Sequence, residues 1–217
     1  MNSTISTNVA DHGGGIYVRT SLNPTILNST ISTNVADDGN GGGNGGGLNA
    51  NDDNLIGIFT STINGNTAVG QGGGIFTEYY PASVYTVFSV IVNTVVANSV
   101  GGDIGGMCPG VPAAYNWVET FSCAIGARSG DPMLGPLQDN GGPTLTHAPL
   151  PGSGLIDGSL NCLNPATALD QRGEPRVTAT VPGEGPCFIG AVEGIQESED
   201  NFFVIPLGNG RSVVAPL

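Results

Sequence analysis

The stretch Asn2-Ser-Thr-Ile-Ser-Thr-Asn-Val-Ala-Asp11 recurs almost unchanged as Asn28-Ser-Thr-Ile-Ser-Thr-Asn-Val-Ala-Asp37. Weaker copies follow at 61–68 and 89–98, and glycine runs followed by an apolar residue are interleaved with them. A period of about 20–50 residues is typical of repeat proteins, in which each unit buries its apolar side chains only against its neighbours. The repeat therefore predicts a stacked fold, a solenoid.

Two sets of apolar residues mark this period independently. The central isoleucines of the first phrase are 26, 32 and 28 residues apart, and the residues that follow the glycine runs are 32, 27 and 29 residues apart. Because the two sets share one period, we expect two columns of stacked side chains. The first column is predicted to contain Ile5, Ile31, Ile63 and Ile91, and the second Ile16, Leu48, Ile75 and Ile104.

The repeat phrases indicate strands rather than helices. They alternate small polar residues with β-branched ones, which suit a pleated surface, and residues 1–106 lack the apolar spacing of a helix. We therefore predict an all-β fold, a parallel β-helix of about four rungs over residues 1–106. Asn8, Asn34 and Asn66 should stack at one corner and the glycine triplets should form others, although Gly39–Gly43 has the composition of a flexible linker.

Composition narrows the classes of partner. The 217-residue chain carries a net charge of −13 and contains no lysine, which disfavours nucleic acid and anionic membranes as partners. It has no run of 18 apolar residues that would predict a transmembrane helix, and no signal peptide. Since Met1 falls within a repeat phrase, we expect the chain to be the C-terminal piece of a longer protein. We expect that protein to be secreted or displayed on the cell surface. We also expect a monomer, with an unidentified surface or carbohydrate ligand.

Four cysteines lie outside the repeats and lack the spacing of a zinc site. We predict two local disulfides, Cys108–Cys123 and Cys162–Cys187; four free buried thiols are the alternative. Oxidised pairs would indicate an export compartment.

The chain changes character after Gly106. Prolines become frequent, and an irregular cap is predicted for residues 107–194, with a linker and a β-hairpin that turns at Gly208-Asn-Gly210 in residues 195–217. Several apolar residues of the cap are predicted to cover the last rung as a lid: Leu134, Leu137, Leu145, Leu150, Leu155 and Ile156.

An ordered set of motifs in this region resembles the choice-of-anchor Q domain of bacterial surface proteins. The motifs are Asp131-Pro-x-Leu-Gly-Pro-Leu137, Asp139-Asn-Gly-Gly-Pro-Thr144, His147, Leu150-Pro-Gly-Ser153, Ile156-Asp157, Asp170-Gln-Arg-Gly-x-Pro-Arg176 and Ile189-Gly-Ala-x-Glu193. Val192 stands where such domains usually have an aromatic residue. The upstream phrases are similar to the repeats of polymorphic outer-membrane-type adhesins and pectin-lyase-like folds. The resemblance implies a right-handed parallel β-helix, export and surface display, and no known catalytic activity.

Few residues are candidates for catalysis or for ligand binding. Arg172 and Arg176 are candidates for binding a carboxylated sugar, or for ion pairs with Asp170, Asp157, Glu174 or Glu193 that hold the cap on the solenoid. His147 is a candidate base, or a structural histidine.

Two acidic pairs are further candidates. Asn51-Asp-Asp-Asn54, and more weakly Asp37-Asp38, would suit a glycoside hydrolase, and an acidic, solvated loop is the alternative. A lyase would need a base, and Arg19 is the only basic residue within the four rungs. We therefore favour a non-enzymatic module over a polysaccharide lyase or glycoside hydrolase. No cofactor is expected, although loop aspartates could bind structural Ca²⁺.

Overall fold

Short parallel strands make up the first part of the chain. The computed structural model describes residues 2–19, 24–51, 56–78, 90–106, 115–120, 127–159, 168–176, 187–194, 202–207 and 211–216. Within these ranges the chain is all-β and contains no helix.

Each sequence repeat contributes three or four strands. The first contributes β1 (Thr4–Ser6), β2 (Val9–Ala10) and β3 (Ile16–Val18). The second contributes β4 (Thr25–Leu27), β5 (Thr30–Ser32), β6 (Val35–Ala36) and β7 (Leu48–Ala50). The third contributes β8 (Gly57–Phe59), β9 (Thr62–Asn64), β10 (Thr67–Ala68) and β11 (Ile75–Thr77). The fourth contributes β12 (Val90–Val92), β13 (Val95–Ala97) and β14 (Ile104–Gly106), and β15 (Trp117–Val118) follows.

Strands at the same place in successive repeats pair in parallel. In the described ranges they form sheet A (β1-β5-β9-β13-β15), sheet B (β2-β6-β10), sheet C (β3-β7-β11-β14) and sheet D (β4-β8-β12). Sheet A continues to β15, beyond Gly106, where the repeats were expected to end. This topology is consistent with a parallel β-helix.

The first predicted column differs from the prediction at its fourth position. Ile63 pairs with Val96, whereas Ile91 pairs with Ile58 in sheet D. The prediction for Ile91 was wrong because β12 and β13 are two successive apolar phrases, and the sequence alone does not show which of them continues the isoleucine phrase. The observed column consists of Ile5, Ile31, Ile63, Val96 and Val118.

The second predicted column is confirmed. Ile16 pairs with Leu48, Leu48 with Ile75, and Ile75 with Ile104. Members of both columns share one apolar core with residues of sheet D. Within this core, Ile31, Ile63 and Leu48 are completely buried. Full burial of one such side chain stabilises the fold by about 1.5–3 kcal/mol, so stacking of like residues is the main source of stability.

The predicted asparagine ladder is also confirmed. Nδ2 of Asn8 donates to Oδ1 of Asn34 over 3.0 Å, and Nδ2 of Asn34 donates to Oδ1 of Asn66 over 2.9 Å. The Oδ1 atoms of Asn34 and Asn66 also accept the backbone N–H of the preceding member, from Asn8 and Asn34 respectively. The ladder therefore satisfies backbone groups at the corner between sheets A and B.

Glycine is required where the corners approach each other. A Cβ added to Gly47 would lie 2.6 Å from the carbonyl oxygen of Gly74 and 3.1 Å from Cγ2 of Ile63. Real Cβ atoms do not come this close to a backbone oxygen. The triplet that precedes β7 is therefore a packing requirement of the corner, as predicted.

Two further strands lie near the C-terminus. β16 (Phe202–Leu207) pairs antiparallel with β17 (Arg211–Pro216), as expected for the predicted hairpin. The turn predicted at Gly208-Asn-Gly210 lies outside the described residues.

Candidate functional site

The outer face of sheet A is covered by residues 127–159, 168–176 and 187–194, which we call the C-terminal segment. Thr30, Ser32 and Thr62 point away from the apolar columns, and yet each is at most 2% exposed. At β5 and β9 both faces of sheet A are therefore buried, one by apolar columns and the other by the C-terminal segment. The candidate residues His147 and Arg176 contact the repeats at this interface, and Arg172 lies beside them within the segment.

Apolar contacts fasten the segment near β13 and β15. Leu155 and Ile189 pack with Trp117 and with outward-facing residues of β13, and Leu134 joins them. Leu145, by contrast, is 45% exposed. The predicted lid over the last rung is corrected accordingly, since these contacts lie on the side of the stacked sheets and only part of the predicted set takes part.

His147 connects the segment to the middle of sheet A. Its Nδ1 lies 2.7 Å from the carbonyl oxygen of Gly135, and its Nε2 lies 2.8 Å from Oγ of Ser32 and 3.3 Å from Nδ2 of Asn64. A carbonyl only accepts, so Nδ1 carries the proton and Nε2 accepts. Burial lowers the pKa of His147, and the Gly135 carbonyl opposes this effect. His147 is therefore a neutral structural histidine.

The contact between Ser32 and His147 has the spacing of a nucleophile and its base. Ser32 is completely buried, however, and His147 is only 5% exposed. The amide of Asn64, 3.3 Å from Nε2, also shares the lone pair that a base would use to take the serine proton. A hydrolytic dyad needs a substrate within reach of the hydroxyl, so this pair serves to hold the segment rather than to catalyse.

Gln171 is a second link to sheet A. Its Oε1 accepts the hydroxyl of Thr30 over 2.7 Å, and its Nε2 donates to the hydroxyls of Thr4 and Thr144, each over 2.9 Å. Gln171 is completely buried. It therefore joins β1 and β5 to the segment with a fully occupied amide.

Arg176 and Glu193 form a buried ion pair. Nη1 of Arg176 lies 3.3 Å from Oε2 of Glu193, and both side chains are at most 3% exposed. Nη2 of Arg176 donates to the carbonyl of Gly190 over 2.8 Å and to Oδ1 of Asn28 over 3.3 Å. Burial lowers the pKa of Arg176, while the carboxylates of Glu193 and Asp170 raise it. Arg176 thus links the segment to the corner that precedes β5.

Arg172 and Asp170 form the neighbouring ion pair. Nη2 of Arg172 lies 2.8 Å from Oδ2 of Asp170, and its Nη1 donates to the carbonyl of Asn140 over 3.0 Å. Arg172 also donates to the backbone carbonyl of Glu193. The completely buried Asp170 accepts the backbone N–H groups of Arg172, Glu174 and Glu193.

These contacts decide between the two readings of the arginines. Both guanidinium groups are engaged inside the segment, by Asp170 and by Glu193, as the hypothesis of a structural role requires. Arg176 is 3% exposed and cannot reach a sugar carboxylate. The carbohydrate-binding reading of this pair is therefore not supported.

Asp37 and Asp38, which directly precede the Gly39–Gly43 loop, accept hydrogen bonds from its backbone. Oδ1 of Asp38 accepts the backbone N–H groups of Gly42 and Asn40, over 2.8 and 2.9 Å, and these bonds hold its pKa below the usual value. Asp37 accepts the N–H of Gly39 over 2.8 Å. The loop is therefore built by its own hydrogen bonds rather than left as a linker, and Asp37-Asp38 is not set up as a pair of catalytic carboxylates.

The other acidic pair cannot be placed in this way. Asn51 donates weakly to the hydroxyl of Tyr17, over 3.4 Å, and residues 52–54 lie outside the described residues. Among the residues that are described, no group of three or more His, Cys, Asp or Glu side chains could hold a metal ion.

Of the four cysteines in the predicted disulfides, the structure describes Cys187. Cys187 is completely buried, and its backbone exchanges two hydrogen bonds with Ser159, over 2.8 and 2.9 Å. Cys108, Cys123 and Cys162 lie outside the described residues, so both pairings stay predictions.

An open groove borders the interface at β1. It has a volume of about 330 Å³ and is lined by Thr4, Ser6, Asp139 and residues 142–145. Hydroxyl groups and one carboxylate dominate its polar surface, while Pro143 and Leu145 supply apolar contact.

Sequence reasoning missed the part of this interface that lies on the repeats. Ser32, Asn64, Thr30 and Thr62 looked like the solvent-facing side of the repeat phrases. Their small size and regular spacing could have indicated that another part of the chain packs on them. Nothing in one sequence, however, links His147 to Ser32 or Gln171 to Thr30.

Comparison with known proteins adds no relative: no family model, no curated protein and no solved structure matches this chain. In the part of the chain that the structure describes, no helix is long and apolar enough to cross a membrane.

Proposed function

We propose that this chain is a non-enzymatic module of a secreted or cell-surface protein, built as a right-handed parallel β-helix. Support for the fold comes from the register, since strands of sheets A to D pair with their counterparts one repeat away. Such a stack presents a long, rigid lateral surface, which suits display and adhesion.

One observation carries the non-enzymatic role: in the described part of the C-terminal segment, the residues with catalytic potential are used to hold that segment. His147, Arg176 and Asp170 are at most 5% exposed and have partners within the protein. A catalytic group must reach its substrate, and it needs a base or carboxylates near a cleft. The interface offers these groups no such access.

The residues that carry the resemblance to the choice-of-anchor Q domain support the second part of the proposal. Gln171, Arg172 and Glu193 belong to those motifs, and they make the buried contacts described above. A motif set whose members fasten one segment to the side of a β-helix fits a structural cap. We propose that the C-terminal segment is such a cap and that it accompanies a protein exported to the bacterial surface.

A carbohydrate is the ligand class that the groove at β1 fits best. The hydroxyl of Ser6 and the carboxylate of Asp139 can bind sugar hydroxyls, and the hydroxyl of Thr144, which accepts from Gln171, can still donate. The net charge of −13 disfavours acidic glycans, so a neutral saccharide is proposed.

The enzymatic alternative is tested with the purified chain. We expect no release of unsaturated uronides from pectate in the presence of Ca²⁺, and no release of reducing sugar from neutral polysaccharides. Turnover that is abolished in Asp52→Ala, at unchanged melting temperature, would replace the proposed role with an enzymatic one.

The display role is tested by location and binding. Antibodies raised against the chain should label intact cells of the source organism, and a glycan array should show binding that Asp139→Ala weakens. Labelling confined to permeabilised cells would contradict surface display.

A further inference from the structure

His147 is buried between two elements that are far apart in sequence. It lies in the stretch 134–149, in which Leu134 bridges to Pro149 and Gln138 to Thr146 in antiparallel fashion. We call this stretch the 134–149 hairpin. Its imidazole contacts Ser32 of β5 and Asn64 of β9, so one ring links the hairpin to two strands of sheet A.

The hydrogen bonds around the ring require it to be neutral. Nδ1 donates to the carbonyl of Gly135, which leaves Nε2 as an acceptor. The orientation of the Asn64 amide is fixed because its Oδ1 already accepts Nδ2 of Asn98 over 2.8 Å. The NH₂ group of Asn64 therefore points at Nε2, and a proton on Nε2 would place two donors against each other.

We propose that the 134–149 hairpin is an acid-sensitive latch, which detaches from the outer face of sheet A when His147 takes up a proton. The ring relieves the opposed donors by leaving its place between β5 and β9. This inference rests on the hydrogen-bond geometry, the pKa direction supplies the sign of the pH effect, and neither depends on the proposed surface role.

Among the residues that the structure describes, no carboxylate contacts the ring to stabilise an imidazolium in place. Strands β1, β5, β9 and β13 carry no titratable side chain. Within the segment, Asp139 accepts the N–H of Gly141 and Asp170 is paired with Arg172. Ser32 could turn its hydroxyl to accept the proton on Nε2. The amide of Asn64 would still face that proton and would have no acceptor.

The sign of the pH effect follows from the direction of the pKa shift. Burial lowers the pKa of folded His147 below its unfolded value of about 6.5. The open state therefore binds more protons than the closed state, and the closed state loses stability as the pH falls below about 6.5. The arginine ion pairs and the apolar contacts of Leu155 do not depend on this proton, so the rest of the segment should stay in place.

Hydrogen exchange measured by mass spectrometry at pH 7.5 and pH 5.5 tests the latch, after correction for the intrinsic pH dependence of exchange. In the wild-type chain, peptides from 134–149 should exchange at least about threefold faster at pH 5.5, since a shift of one pKa unit gives up to tenfold. Peptides from 24–51 should show a smaller change.

The chain offers a matched control because it contains only two histidines. His147→Gln keeps an acceptor for Ser32 and Asn64 and cannot be protonated, so its hairpin should exchange equally at both pH values. His12→Gln should behave like the wild type, since His12 is exposed and accepts the N–H of Asn44 elsewhere. Hairpin exchange that does not change with pH in the wild type, or that still rises in His147→Gln, would overturn the proposal.

A second measurement does not need a variant. The two imidazoles can be followed by NMR during titration of the wild-type chain. The signal of His147 should titrate together with the loss of protection in the hairpin. If His147 titrates at or above pH 6.5, or if it titrates while the hairpin stays protected, the latch is disproved.

Discussion

Asn34 and Asn66 are separated by 32 residues in the chain, and yet Nδ2 of Asn34 donates a 2.9 Å hydrogen bond to Oδ1 of Asn66. Both side chains are completely buried. Oδ1 of Asn66 also accepts the backbone N–H of Asn34, so one amide satisfies both a side chain and a corner of the neighbouring repeat. The ladder sets the vertical register of the stack at this corner.

Replacement of Asn34 by alanine tests how much this ladder contributes. The change removes the acceptor for Asn8 and the donor to Asn66 and to the carbonyl of Ile5, and it leaves buried polar groups without partners. We expect Asn34→Ala to lower the free energy of unfolding by about 2–3 kcal/mol. Asn8→Ala, at the exposed end of the same ladder, should cost clearly less. Urea denaturation followed by the fluorescence of Trp117 measures both, and equal losses would contradict the argument.

A pair of glycine variants separates close packing from backbone conformation. Gly47→Ala forces a Cβ to 2.6 Å from the carbonyl oxygen of Gly74 and should cost about 1–3 kcal/mol. Gly65 has a φ of +64° but an open environment, with Cγ2 of Thr33 3.7 Å from an added Cβ. Gly65→Asn should be nearly neutral, because Asn98 adopts a φ of +55° at the equivalent corner. A neutral Gly47→Ala would remove the steric account of the glycine triplets.

The pattern of the repeats was enough to predict the parallel strands, one full column and the asparagine corner. Each of these follows from stacking, which makes residues at equal positions touch, so the period alone defines the contacts. Ile91 was misplaced because two apolar strands follow each other there without a marker between them. The corner at Asn93, with a φ of +52°, separates them, and a single sequence does not reveal it.

The interface with the C-terminal segment was much less predictable. Its contacts join residues that are far apart in the chain, such as Ser32 and His147, 115 positions apart, and no period relates them. Structural roles for Arg172 and Arg176 could be proposed because acidic residues occur nearby in sequence. The attachment of Arg176 to the corner at Asn28 could not, because it depends on how the segment folds back.

The ion pair of Arg176 and Glu193 can be tested by a double-mutant cycle. Arg176→Met leaves the carboxylate of Glu193 buried beside an apolar side chain and should cost about 3–5 kcal/mol. Glu193→Gln still accepts the N–H of Phe188, as Glu193 does in the wild type. Nε of Arg176 is buried without a hydrogen-bond partner in the described structure, so the pair is not fully satisfied. The double variant leaves no unpaired charge behind. Its free energy of unfolding should therefore be at least about 1 kcal/mol higher than the sum of the two single changes predicts.

Chemical denaturation of the two single variants and the double variant provides the cycle. Arg128→Met is the control, because Arg128 is exposed and makes one weak contact, 3.4 Å to the carbonyl of Gly154. It should change the free energy of unfolding by less than about 1 kcal/mol. Strictly additive effects at Arg176 and Glu193 would show that the pair is not coupled.

The predicted disulfide between Cys162 and Cys187 would lie beside a described pairing of the backbone. Ser159 pairs with Cys187 in antiparallel fashion, and Cys162 follows Ser159 by three residues, a reach of about 10 Å. A bridge that closes a loop of this size stabilises the fold by about 3 kcal/mol. Proteolysis without reduction, followed by mass spectrometry, should recover the linked peptides Cys162–Cys187 and Cys108–Cys123. Alkylation of all four thiols in denaturant without reductant, or linkage of Cys108 to Cys162, would contradict the pairing. Reduction should also lower the melting temperature of the wild type but not that of a variant in which all four cysteines are serine, since only the bridges respond to the reductant.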